Sequence, residues 1–201
     1  MTPLPSPVEP PPALEDRALD QLRYIRRAME EAGSFTTVSG WAQVAIGVVG
    51  LMAAAIAHGQ ASPRAWMGVW IAAAAVGFAL SIAGLVHKAR RLGVPAFAGP
   101  ARRFVLTFCL PLVAGAGITV ALDRAGLHPL LPGTWLLLFG VGVAAGGAFS
   151  VRTVPVMGLC FMGLGLVGLF VPWGLSEALM AIGFGGLMIG FGVVIAWRHG
   201  G

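Results

Sequence analysis

The sequence predicts an all-α fold, a polytopic bundle of six transmembrane helices preceded by a cytosolic amphipathic helix. Of its 201 residues 57% are hydrophobic and only 10% are charged, and the mean hydropathy is +0.85. Soluble domains carry about a quarter charged residues, so 13 basic and eight acidic side chains cannot coat a globule of this composition. The apolar residues also form blocks of spanning length. Water-soluble and largely disordered classes are therefore excluded.

The chain begins with a short proline-rich tail at residues 1–12. This tail holds six prolines and no basic residue, which predicts an extended or disordered segment. A secretory signal peptide needs a positively charged start. We therefore expect the first spanning helix itself to direct insertion.

Residues 13–33 have the pattern of an amphipathic helix. Apolar side chains recur every three or four positions, the period of one helix face, at Leu14, Ala18, Leu22, Ile25, Met29 and Ala32. This segment contains four arginines and five acidic residues, so it lacks the polybasic character that binds anionic lipid. We expect its apolar stripe to pack on protein at the cytosolic side.

Six apolar blocks follow, each close to the ~20 residues that cross a bilayer as a helix. The backbone must satisfy its own hydrogen bonds in lipid, so each block is expected to be helical despite its Val, Ile and Gly content. The whole bundle covers residues 38–197, with predicted spans at about 38–57, 65–86, 104–122, 133–150, 154–171 and 175–197.

The basic residues predict the orientation of the bundle. With six spans, eleven of the 13 Lys and Arg fall on the side of the two termini and only Arg64 and Arg124 on the other. Basic residues stay in cytosolic loops, which predicts cytoplasmic termini, a cytosolic tail at 198–201 and a location in a bacterial inner membrane. All six tryptophans lie near predicted helix ends, as expected for an aromatic belt at the membrane interfaces.

Glycine pairs spaced four apart predict close helix packing. Gly142 and Gly146 lie on the fourth span, and Gly186 and Gly190 on the sixth. Small residues let helix backbones approach in lipid, where apolar burial drives no association. The contacts can form within the bundle or between two copies, and we expect them within the bundle.

Four polar residues near the spans are candidates for a solute pathway or an outer vestibule: Gln43, Asp123, Arg124 and Glu177. Gln43 is an amide one turn into the first span, where a bond to another helix is expected. The other three lie at predicted outer helix ends. We expect them to be interfacial charges, with Glu177 favoured at the start of its helix by the helix dipole, and the alternative is an outer vestibule for a cation or a polar solute.

No catalytic or cofactor signature stands out. The sequence has no HExxH, no GxSxG and no GxxxxGK[ST], so an enzyme is not expected and no catalytic, cofactor-binding or metal residue is predicted. The four histidines lie at predicted helix ends, two on each side of the membrane, and each side could in principle supply a pair of haem ligands at the same depth. We expect them to be ordinary interfacial residues. Cys109 and Cys160 are expected to be packing residues. The charge pattern favours a lipid bilayer and not nucleic acid as the partner.

Several stretches resemble a group of uncharacterised bacterial inner-membrane proteins. They are RYIRRAME at 23–30 with SFT at 34–36 and GW at 40–41, GGAFSVR at 146–152, and the terminal RHGG at 198–201. The resemblance covers most of residues 17–201. It implies membership of the same membrane class and carries no assigned activity.

Two hypotheses for function remain. The first is a non-catalytic structural, sensory or accessory module that binds a protein partner or a second copy. The second is a small transporter or channel for an apolar or small solute, built from two inverted repeats of three spans. Proline and glycine interrupt its third and sixth spans, which predicts a site between them.

Overall fold

The computed structural model describes Gln21, residues 39–92 and residues 100–199. Every regular element in these ranges is helical, which confirms the all-α class. The proline-rich tail and, apart from Gln21, the amphipathic helix predicted at 13–33 lie outside the described residues. Both stay predictions.

The described helices follow the predicted blocks in order. They are α1 (Gly40–His58), α2 (Pro63–Leu92), α3 (Pro100–Arg124), α4 (Leu131–Gly146), α5 (Thr153–Gly168), α6 (Trp173–Met180) and α7 (Met188–His199). A π-helical segment, Ala181–Leu187, joins α6 to α7. These last three elements form one rod, called the sixth span below.

Five of these rods are long and apolar enough to cross a membrane: Gly40–His58, Pro63–His87, Arg102–Arg124, His128–Gly146 and Trp173–Arg198. The protein is thus a multi-pass helical membrane protein by helix length and hydropathy. The exception is α5, which has 16 residues. At about 1.5 Å per residue it rises roughly 24 Å, short of the ~30 Å hydrocarbon core.

Glycines bring α4 and α5 into backbone contact. A Cβ atom added to Gly165 would lie 2.4 Å from the backbone nitrogen of Leu137, and one added to Gly140 would lie 2.6 Å from that of Met162. Gly133 and Gly158 make equally close approaches. The contacting glycines are therefore spaced seven apart on each helix, the repeat that keeps one seam of a helix against its neighbour.

The four glycines that the sequence singled out occupy two different environments. Gly142 and Gly146 lie against Phe108 and Phe104 of α3, with added Cβ atoms at 3.0 and 3.2 Å from the nearest atoms. Gly186 and Gly190 meet nothing within 4 Å among the described residues. On the sixth span the close approaches are instead made by Gly183, Gly185 and Gly192, which contact side chains and backbone of α4 and α1.

The packing order relates the two halves of the chain. The first half begins with the hairpin α1–α2 and the second with the hairpin α4–α5. The third span of each half packs on the first span of the other, because α3 lies on α4 and the sixth span lies on α1. In the described residues α2 and α3 do not pack against each other to a comparable extent.

Two of the tryptophans are buried by protein, although they lie near a helix end. Trp66 and Trp70 are only 2% and 6% exposed. Trp66 stacks on Trp135 with ring centroids 5.5 Å apart and lies 4.8 Å from the ring of Trp173. The indoles at this end of the bundle therefore pack on one another in its interior. Trp41 and Trp197 remain 57% and 81% exposed.

A lipid-facing apolar cavity

A cavity of about 770 Å³ lies between α2 and α3, with α1, α4 and the sixth span behind it. Its wall runs from Trp70 to Leu85 on α2 and from Phe104 to Val120 on α3. At about 1.5 Å per residue these stretches are roughly 22 and 24 Å long. The cavity is therefore long and narrow and follows the helix axes.

The cavity opens sideways through the gap between α2 and α3. Ile71 and Phe78 on α2 line it and are also 52% and 48% exposed. On α3 the same is true of Val120, at 53%. Both helices are of membrane-spanning length and composition. The mouth therefore lies along the apolar, membrane-spanning part of both helices.

Gln43 supplies an amide to the back of this cavity. The residue is 6% exposed, and its Nε2 donates to Sδ of Met157 at 3.4 Å and of Met188 at 3.3 Å. A thioether sulfur accepts but cannot donate, so the amide nitrogen must face the sulfurs. Its Oε1 is buried and has no hydrogen-bond partner within residues 39–92 and 100–199.

The π-helical segment contributes an aromatic wall. Phe184 lies in this segment and lines the cavity, with ring centroids 5.8 Å from Trp70 and 5.0 Å from Phe139. A π-helical turn inserts a residue into the helix and is frequent at functional sites. Trp70 also lines the cavity, and its buried Nε1 has no partner.

A cluster of charged side chains ties α2 to α3 beyond the Trp70 end of the cavity. Asp123 accepts from Arg64 Nε at 3.3 Å and lies 2.9 Å from Nε2 of His128. Of the two partners, Arg64 is 59 positions away along the chain and His128 is five, and the adjacent Arg124 is exposed. Just inside the cluster, Trp135 donates to Thr119 Oγ1 at 2.8 Å.

The structure separates the four predicted pathway residues. Gln43 lines the large cavity, whereas Asp123, Arg124 and Glu177 do not. Glu177 lies 3.6 Å from His58 Nδ1 and lines a separate pocket of about 170 Å³ with Trp66 and Trp173. Sequence reasoning missed Trp70 as a wall residue because its position near a predicted helix end fitted an interfacial belt.

The cysteines and histidines form no constellation of ligands in the described ranges. Cys109 and Cys160 are both free thiols; Cys109 lines the cavity and Cys160 is exposed on α5. His58 and His128 each lie beside a carboxylate. Residues 39–92 and 100–199 contain no group of three or more side chains suited to a metal ion.

Comparison of the chain with protein-family models, with curated proteins and with solved structures gives no match. The resemblance noted in the sequence therefore identifies no family. Functional inference depends on the cavity and the helices around it.

Proposed function

We propose that the chain is a non-catalytic, six-span protein of a bacterial inner membrane that takes up an apolar molecule sideways from the bilayer. The cavity between α2 and α3 carries this proposal. Its wall is almost entirely apolar, and Gln43, Ser39, Ser81 and Thr119 supply nearly all of its polar side chains. A permeating ion needs a polar lining, whereas an apolar ligand is suited to a concave apolar site with few polar groups.

The arrangement of the third and sixth spans supports a carrier over a simple lipid-binding protein. Both spans line the cavity, and the sixth changes from α to π geometry there. The third span of each half packs on the first span of the other half, and this arrangement is compatible with two inverted repeats of three helices. Transporters built from such repeats bind substrate near the repeat interface, beside interrupted helices.

The experiment compares two alanines on α2 that are adjacent in sequence. Ala74 lines the cavity and Ala75 does not, although both are exposed. We expect Ala74→Phe to occupy the cavity and to abolish a ligand seen by native mass spectrometry of protein extracted directly from membranes. Ala75→Phe should retain it. An equal ligand load in both variants, or an empty wild-type protein, would contradict the proposal.

A second candidate function is the binding of a protein partner or a second copy, favoured by a small-residue surface on the sixth span. Gly186 and Gly190 are exposed and meet nothing within 4 Å among the described residues, and small residues spaced four apart let another helix approach closely in lipid. The amphipathic helix predicted at 13–33 would extend such an interface on the cytosolic side. A monomeric mass in nanodiscs, together with unchanged stability and partner recovery after deletion of residues 1–33, would contradict this candidate.

A further inference from the structure

We propose that the ligand of this cavity is a long, single-chain lipid alcohol and that its hydroxyl group donates a hydrogen bond to Oε1 of Gln43. This inference rests on the proposed function and specifies its ligand. It combines an unpaired acceptor, the shape of the cavity and the absence of charge from its wall.

The unpaired acceptor is the first step. Gln43 is more than nine-tenths buried, its amide nitrogen is held by two methionine sulfurs, and its carbonyl oxygen has no partner. A buried carbonyl oxygen without a donor costs free energy. Ser81, at a similar depth, directs its hydroxyl to Gly77 O at 2.9 Å. Oε1 itself is buried, so a ligand hydroxyl reaches it only when the amide side chain shifts toward the cavity, and the hydroxyl then supplies the missing donor.

The position of Gln43 sets the direction of the ligand. An added Cβ on Gly84 would meet Ala42, and one on Gly77 would meet Ile46, so Gln43 lies at the level of Ser81 on α2. Trp70 is about ten residues further along α2, roughly 15 Å away. The Gln43 contact is thus near one end, and the cavity continues for about the thickness of one leaflet, ~15 Å, to an end formed by Trp70, Thr119 and Trp135. A chain with a terminal polar group fits this outline.

The chemistry of the wall selects a neutral donor. Among the residues that the structure describes, no Asp, Glu, Lys, Arg or His lines the cavity, so an ammonium or carboxylate group would be buried without a counter-charge, at a high cost. A carbonyl or ether oxygen would face Oε1 without a proton between the two oxygens. A hydroxyl donates one proton and adds no charge.

The test measures the Kd of octadecanol and the Kd of its methyl ether for the same protein in nanodiscs. The ether cannot donate a hydrogen bond. A neutral hydrogen bond formed on binding is expected to favour the alcohol by up to about tenfold in Kd. Wild-type protein should show this preference, and Gln43→Met and Gln43→Leu should lose it while still binding both compounds. The ratio of the two Kd values is compared between wild-type protein and the variants. The different partitioning of the two compounds into the bilayer is the same for each protein and cancels in this comparison.

Gln60→Met is the matched control, because Gln60 is exposed outside the cavity and bonds to Ile56 O. It should keep the wild-type preference. If wild-type protein binds both compounds equally, or if both Gln43 variants keep the preference, the hydroxyl contact is wrong and the apolar cavity stands. If wild-type protein binds neither compound, the proposed function itself fails.

A second readout tests the orientation of the chain. Trp70 and Trp135 line the end of the cavity remote from Gln43. In a Trp41→Phe, Trp197→Phe background, octadecanol brominated at its methyl end should quench tryptophan fluorescence more than octadecanol brominated beside the hydroxyl. Equal or reversed quenching would overturn the proposed orientation.

Discussion

At the scale of single residues, Gly165 controls how closely α4 and α5 approach. An alanine Cβ there would lie 2.4 Å from a backbone nitrogen, and backbone cannot move aside as a flexible side chain can. We expect Gly165→Ala to destabilise the protein by about 1–3 kcal/mol, the usual cost of overpacking, measured by thermal unfolding in detergent.

Gly163 provides the control for this prediction, because an added Cβ there meets nothing within 4 Å. Gly163→Ala should change stability by less than about 0.5 kcal/mol. A similar loss in both variants would mean that helix conformation, and not the α4–α5 contact, explains the glycines.

Residue types alone could indicate small-residue packing but not which glycines make it. The four-residue spacing singled out Gly186 and Gly190, which face no neighbour in the described chain, and passed over the seven-residue pair Gly158 and Gly165. A glycine-rich helix has small residues on several of its faces. The neighbouring helix, known only from the fold, decides which face is used.

At the scale of elements, the sixth span carries the clearest link between sequence and site. The glycine-rich sequence from Gly183 to Gly192 predicted an interruption, whereas the structure has a continuous helix whose hydrogen bonding changes to π geometry over Ala181–Leu187. The third span, which was also expected to break, continues as a helix through Pro111. Long-range aromatic contacts of Phe184, which no local pattern encodes, then make this segment part of the cavity.

The ion pair of Arg64 and Asp123 joins the start of α2 to the end of α3. Because Arg64 is largely exposed, the pair is a weak surface salt bridge. We expect Asp123→Ala to widen the gap and to speed alkylation of Cys109 by an apolar maleimide up to about fivefold.

Cys160 and Glu177 supply internal and matched controls for this experiment. Cys160 lies outside the cavity, so its alkylation rate should not change. Glu177→Ala removes a carboxylate that contacts α1 rather than α2 and should leave Cys109 unaffected. Equal acceleration at both cysteines would indicate general loosening of the bundle.

At the scale of the whole molecule, the solvent determines what a sequence can predict. Hydrocarbon forces every apolar block to satisfy its own backbone, so the helical class and the approximate blocks follow from composition and block length. The cavity does not follow, because it depends on α2 and α3 failing to meet while each packs elsewhere. Gln43 was visible as a buried amide, but its methionine partners lie 114 and 145 positions away.

The number of crossings is the remaining prediction for the whole molecule, and α5 decides it. Although α5 is short, its 16 residues carry no charged side chain, and local thinning of the bilayer accommodates a short span at modest cost. We therefore expect α5 to cross, so that the segments around Gly126 and Pro172 share the outer side and residue 201 is cytoplasmic. Green fluorescent protein fused after residue 201 should fluoresce, and alkaline phosphatase inserted after Gly126 or Pro172 should be active. If α5 does not cross, the phosphatase after Pro172 will be inactive and the terminal fusion dark, because the sixth span then runs in the opposite direction.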